Sequence, residues 1–484
     1  MATRRPIAAR IIAGAVIAAI AIVIVAQGFL PPDDALRHAA KAVSGRPWTD
    51  ILILRPGTID SSPGWHALLR GVHLLTGAGA AALVRFEVVA LFIAVSLPAL
   101  LLMRRVEAWI GALLLVGLYE PLLVARLVVG RPLLVSMTAV VTICLVWRRL
   151  ADERIDRRSV AVVAALIAAA TWIHGSWYLF GLPILAFVLA RQPRAALRLT
   201  YATTIGVLLG ALLSGMPVAF LWQSVRHAAL ALGDTQAIEL VREFRPYPGN
   251  TMLVLAIGVI VIARRWWLGI SARELLRDPV FMLAALGTVL GFRVARFYMD
   301  WGLPAVVAWT ALELERLVVA GRGSQVAGPA IHDARPMTRD LLGTVVLHAS
   351  TFALFALDFG HRWSQPPTDP AYTAMITPAH RAALPDSGGT LYADDMRAFY
   401  NLFFLEPAAP RRYMLGYEPG LMPAQDLAVY RNALLTRNIS AFEPWARKLK
   451  PADRLVLHYS GGVPGLGLQW LYVGYGVWSG RSPR

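Results

Sequence analysis

Acids are scarce in this chain and cysteine is nearly absent. The 484 residues hold 30 Asp and Glu against 47 Lys and Arg, and one cysteine, Cys144. A single cysteine excludes an internal disulfide, so any exported segment must fold by its own core. Charged residues are only 16% of the chain, against 57% hydrophobic. Mean hydropathy is +0.55. That balance excludes an ordinary soluble enzyme and reads as a polytopic membrane protein. No small-x-small cleavage site follows the first apolar stretch, residues 11–26. The N-terminus therefore reads as an uncleaved signal anchor rather than a signal peptide. No internal repeat is evident.

What is present is arginine, which carries almost all of the net charge of +17. In a soluble protein that excess points first to nucleic acid. Here it reads as topogenic arginine in cytoplasmic loops, and no nucleic-acid partner is expected. A membrane-spanning helix needs roughly 20 apolar residues, and about eleven stretches approach that length. Their centres fall near residues 18, 92, 113, 139, 166, 184, 206, 257, 285, 308 and 348. Arg4-Arg5, Arg104-Arg105, the 147–158 run, 191–198, Arg264-Arg265 and 322–339 lie in alternate connections. Positive-inside bias puts all six in the cytoplasm, with the N-terminus inside and the C-terminus outside.

The other connections then face outward: 29–78, 120–132, 172–178, 215–250, 291–301 and everything after about residue 359. In the first, residues 33–43 and 65–76 carry apolar residues at helical spacing, with Pro47 and Pro56-Gly57 between them. They read as two short helices on the membrane surface, and 218–232 as a third. Strand-like runs follow at 390–393, 412–415, 455–459 and 471–475, with a helix over 424–435. The expected organisation is a transmembrane module over 1–360 and a small extracytoplasmic α/β domain over 361–484. A domain of that size folds without disulfides.

The outer loops concentrate chemistry. They contain Asp33 and Asp34, His38, Arg55, His66, His73, Arg126, Arg131, His174, Arg293 and Arg296. Positive-inside bias depletes arginine from short outer loops, so arginine found there needs another reason. Snorkelling to lipid phosphates is one. A negatively charged ligand is the other, because guanidinium forks match phosphate oxygens. Arg293 and Arg296, three apart, point the same way on a helical turn. His38 lies four residues after Asp34 and shares its face, where it can orient the carboxylate or touch phosphate. His66 and His73 also share a face. Glu87 and Glu120 lie near Arg85 and Arg126 and read as ion pairs. Acids and histidines in one loop allow a divalent cation, but no spacing matches a metal-ligand pattern. In the tail, Asp394-Asp395 and Glu418 read as turn and capping acids. The aromatic 470–478 run reads as a core strand, with sugar stacking as the alternative.

These features resemble the GT-C superfamily, polytopic glycosyltransferases that use polyprenyl-phosphate-linked sugars. As architecture the likeness covers the whole chain. At residue level it rests on Pro31-Pro32-Asp33-Asp34, and more loosely on Ser62-Pro63-Gly64-Trp65-His66 and residues 293–304. No Asp-Glu-x-Tyr-type string and no Trp-Trp-Asp string is present, so the branch is open. The resemblance implies that Asp34 or Asp33 is the catalytic base, with Asp34 favoured and the other acid capping a helix. It further implies a bacterial inner-membrane enzyme that moves a sugar to a glycan, lipid or protein acceptor. Arg293, Arg296, Arg131, Arg126 and His174 would bind the donor phosphate, and His38 and His66 would support the site. Chemistry alone also permits the base role, since transfer must deprotonate an acceptor hydroxyl and stabilise a departing phosphate. The alternatives are a lipid-linked glycan polymerase or ligase, a flippase or transporter, and a non-catalytic scaffold.

Overall fold

The computed structural model describes residues 4–27, 31, 34–120, 122–233, 245–247, 271–325, 343–356 and 368–483. The protein is mostly helical, with one small sheet. Among the described residues, five helices are long and apolar enough to cross a membrane: Ile7–Ala26, Ala80–Leu102, Leu133–Ala151, Arg157–His174 and Pro193–Leu213. Shorter apolar helices occupy Val106–Tyr119, Trp177–Leu189, Pro279–Gly291 and Gly343–Ala356. The centre expected near 308 falls in the helix Leu303–Gln325. The one near 257, the boundary expected at 360–361 and Asp33 lie outside the described residues.

The chain divides into two compact units. The first comprises Met1–Gly28, Val88–Val218 and Glu243–Ser364, and the second Phe29–Glu87, Ala219–Arg242 and Gln365–Arg484. In the first unit, Pro193–Leu213 packs on Arg157–His174 through Gly206 and Gly210. A Cβ on Gly210 would lie 2.5 Å from the Ala168 carbonyl oxygen, and one on Gly206 would lie 2.6 Å from that of Ala164. This is the small-xxx-small arrangement that lets apolar helices meet closely where the hydrophobic effect contributes little.

Hydrogen bonds between loops of this unit form two groups. Arg10 donates to Met103 O (2.9 Å), the Arg105 N–H to Glu315 (2.7 Å), Arg198 to Leu150 O (2.9 Å) and Arg316 to Asp278 (3.3 Å). The second group joins 120–126, 245–247 and 291–300. Tyr247 donates to Glu120 (2.8 Å) and the Ala295 N–H to Arg245 O (2.9 Å). Each of these bonds joins segments that the arginine pattern assigns to the same side.

The second unit contains the sheet, in the order β2-β1-β3-β5-β4. Here β1 is Thr390–Ala393, β2 Arg412–Tyr413, β3 Arg454–His458, β4 Gln469–Gly474 and β5 Val477–Arg481. β1 runs parallel to β2 and β3, while β5 is antiparallel to β3 and β4. β3 is central and buried along Arg454–Leu457, as its continuous apolar run requires. Residues 48–55 bond to this sheet. Leu52 bridges Tyr413, and the Ile53 N–H donates to Tyr413 O at 2.9 Å. Helices occupy the stretches expected at 33–43, 65–76 and 218–232, as Asp34–Ser44, Pro63–Thr76 and Pro217–Gly233.

Replacing Gly210 by Leu should force the two helices apart at a cost of about 1–3 kcal/mol. The thermal midpoint of the purified protein in detergent should fall. An unchanged midpoint would contradict the close approach.

Candidate functional site

Asp34 opens the helix Asp34–Ser44, where a carboxylate complements the positive N-terminal end of the dipole. Arg37, one turn on, donates through Nε to Asp34 Oδ1 at 2.7 Å, and the Tyr400 hydroxyl donates to the same oxygen at 3.2 Å. The Arg37 guanidinium carbon lies 4.1 Å from the centre of the Tyr417 ring. Burial alone would lower the guanidinium's pKa, but Asp34, then Tyr400 and Tyr417, outweigh it and raise it. Arg37 therefore stays charged beside the acid.

The same helix contributes His38, which is fully buried. Its Nδ1 lies 2.8 Å from His66 Nε2, and His66 Nδ1 lies 2.6 Å from Asp60 Oδ2. Asp60 Oδ1 accepts the Ser62 N–H at 2.9 Å. Trp48 sets its ring edge-on against His66, 5.5 Å between centres. Burial tends to raise the Asp60 carboxyl, but the His66 charge, the His66 hydrogen bond and the Ser62 N–H prevail and hold it at about 2. An ionised Asp60 only accepts, so His66 Nδ1 carries a proton. One hydrogen then lies between His66 Nε2 and His38 Nδ1. The Gln223 side chain fixes the loop, accepting from the Ile59 N–H at 2.8 Å and donating to Ile59 O at 2.9 Å.

The first unit carries a different constellation. Tyr298 donates to Glu120 Oε2 at 3.1 Å, opposite Tyr247 on Oε1, and the two rings stack 5.2 Å apart. Burial, then Glu120, push both phenols up, so both remain donors. Arg126 Nε donates to Asp300 Oδ1 at 3.0 Å, and Arg296 Nε lies 3.6 Å from Asp300 Oδ2. Two guanidiniums thus approach one carboxylate. Tyr298 and Asp300 both sit on a π-turn, Tyr298–Gly302, which packs through Gly302 against Gly287. Such turns recur at functional sites.

Asp34, His38 and His66 belong to the second unit, and Arg126, Arg131, His174, Arg293 and Arg296 to the first. The structure joins Arg126 with Arg296, and His38 with His66. Val294 is extended, so no continuous helical turn aligns Arg293, which is exposed, with Arg296. Arg131 lies in the turn before Leu133–Ala151, and His174 ends its helix 3.0 Å from Ser176 Oγ. His73 caps its own helix end on Ala78 O at 2.8 Å and does not join His66. The expected Glu120–Arg126 pair does not form, because two tyrosines hold Glu120 and Asp300 holds Arg126. Glu87 accepts from Trp65 Nε1 at 3.0 Å. In the tail Asp395 caps Met396–Leu405, whereas Asp394 joins His458. Burial lowers the His458 pKa, but the Asp394 hydrogen bond and charge raise it overall. Among the described residues no set of three or more His, Cys, Asp or Glu gathers as a metal site.

Sequence reasoning passed over Arg37, Asp60, Asp300, Tyr400 and Tyr417. Arg37 at i+3 from Asp34 and Asp300 at i+4 from Arg296 were readable spacings. Nothing local marks Asp60 or the tyrosines. No family model matches this chain, and no curated protein matches it.

Asp60→Asn should cost about 2 kcal/mol, from the depression of its pKa. Because the folded pKa lies below the unfolded one, the deficit should be full above about pH 4. It should close as pH falls towards about 2. Thermal midpoints of both proteins across that range test this, and a deficit independent of pH would contradict it.

Proposed function

We propose that the protein is a membrane glycosyltransferase of GT-C type. It moves a sugar from a polyprenyl-phosphate donor to an acceptor outside the cytoplasmic membrane. The observation that carries this reading is Asp34, an acid seven residues beyond the first apolar helix, held between Arg37 and Tyr400. Ionisable groups packed into a loop of an apolar chain are costly, and a chemical role is the ready reason for keeping them. In the transfer, the acceptor oxygen attacks the anomeric carbon and its proton passes to the carboxylate. The bond from that carbon to the lipid phosphate breaks, and the phosphate keeps the electron pair. Arg126, Arg296, Arg131, Arg293 and His174 are of the residue types that would receive that phosphate. No step requires a nucleotide. A divalent cation would add to the phosphate's stabilisation.

Orientation belongs to the same proposal: N-terminus in the cytoplasm, residues 29–78 and the tail outside. The positive-inside pattern supports it. So does the pairing of loops within, rather than between, the two sides.

Membranes containing the Asp34→Asn variant should transfer a radiolabelled sugar from polyprenyl phosphate about 10²–10⁴-fold more slowly than wild type. Thermal stability should be retained. Full transfer by both Asp33→Asn and Asp34→Asn would refute the proposal.

A further inference from the structure

The tail buries hydrogen-bond donors that neither the sheet nor the candidate site uses. Arg411 and Tyr413 stand two apart in the extended run that forms β2, so their side chains leave the same face. Both are buried, Arg411 with 4% exposure and Tyr413 with 1%. The Tyr413 ring packs edge-on against Phe399, 5.1 Å between centres, with Phe403 at 6.4 Å. Its hydroxyl has no hydrogen-bond partner, and neither has Arg411 Nη1. Burial pushes the Tyr413 phenol up to about 12, against the pull of Arg411 and Arg46, so it stays a donor. An unmet buried donor is costly, and phenylalanine would fill the same space without that cost.

Two more arginines complete the cluster. Arg411 Nη2 donates to Glu406 Oε2, and Arg381 Nη1 to Glu406 Oε1. Arg46 Nη1 donates to Ala409 O at 2.7 Å. Burial would raise the Glu406 pKa, but Arg381 and Arg411 lower it overall, so this acid is ionised and only accepts. Both unmet groups are donors, so whatever completes them must accept twice. A water would bring two hydrogens of its own. The acceptors at hand, both Glu406 oxygens and Ala409 O, are already held by arginines. A tetrahedral oxyanion has the lone pairs and the charge, and guanidinium forks match it. The way in is short: Ala408 and Pro410, between Glu406 and Arg411, are exposed, as is Arg381.

We propose that Arg411, Tyr413 and Arg46 form a binding site for a phosphate-type oxyanion, with Arg381 and Glu406 at its entrance. Arg411 Nη1 and the Tyr413 hydroxyl donate to the anion's oxygens, and the phenylalanines behind Tyr413 keep water from competing for them. The site is built from residues of the second unit alone. The inference does not rest on sugar transfer, so it stands or falls separately from that reaction.

Hydrogen–deuterium exchange of the full-length protein in a neutral detergent tests it, read on the amides between residues 406 and 413. Inorganic phosphate is titrated at constant ionic strength, with chloride making up the difference. Exchange at 406–413 should slow severalfold and saturably. Tyr413→Phe keeps the ring against Phe399 and removes only the hydroxyl, so it should raise the half-saturating phosphate concentration about 10-fold or more. Glycerol phosphate, run in parallel, separates the sources of the anion. Slowing by both ligands assigns the site to a phosphorylated group, and slowing by inorganic phosphate alone assigns it to the free ion. No slowing at 406–413 in the wild type would overturn the proposal, even if phosphate slowed exchange in other loops. An equal response in Tyr413→Phe would also overturn it.

Discussion

The chain Asp60–His66–His38 is the constraint around which the second unit is arranged. Ionised Asp60 accepts from His66 Nδ1, and His66 Nε2 in turn meets His38 Nδ1. The chain joins the Asp34–Ser44 helix to the Pro63–Thr76 helix across 28 residues of sequence. A buried imidazole without its partner would leave a polar group unsatisfied, at a cost of about 1–3 kcal/mol. Asp34 and Arg37 ride on the same helix as His38, so their positions depend on a contact they do not make. Trp48 and the Met396–Leu405 helix close around it, which ties residues 34–76 to the tail.

The first unit follows a related rule with different partners. Glu120 accepts from tyrosine hydroxyls and Asp300 from a guanidinium, each in or beside the 291–301 turn. A buried carboxylate must be paired or hydrogen-bonded, and the two acids use the two available solutions. Neutral phenols leave the Glu120 charge in place, whereas the guanidiniums oppose that of Asp300.

Regular structure was legible wherever one periodicity dominated. The 390–393, 412–415, 455–459 and 471–475 runs became β1 to β4, and the 424–435 helix appears as Ala424–Thr436. β5 escaped notice because Gly476 to Gly480 alternate no apolar residues cleanly. The helices at 33–43, 65–76 and 218–232 were equally readable from their apolar spacing. Partners were much less so. Proximity in sequence pointed to Glu120 with Arg126, but tyrosines from 127 and 178 residues away supply the hydrogen bonds. Likewise His66 was read with His73 on its own helix, while its real partners come from a loop and another helix. Composition fixes which residues must be buried, and only the tertiary fold decides which polar groups meet.

Sugar transfer at the membrane surface, as proposed, is tested through its products. Lipid-linked sugars and envelope glycans should be profiled in intact cells with the protein and in cells lacking it. The account predicts loss of at least one glycosyl residue from an external glycan or lipid, with its polyprenyl-phosphate donor accumulating. An unchanged glycan profile and unchanged donor pool would contradict it.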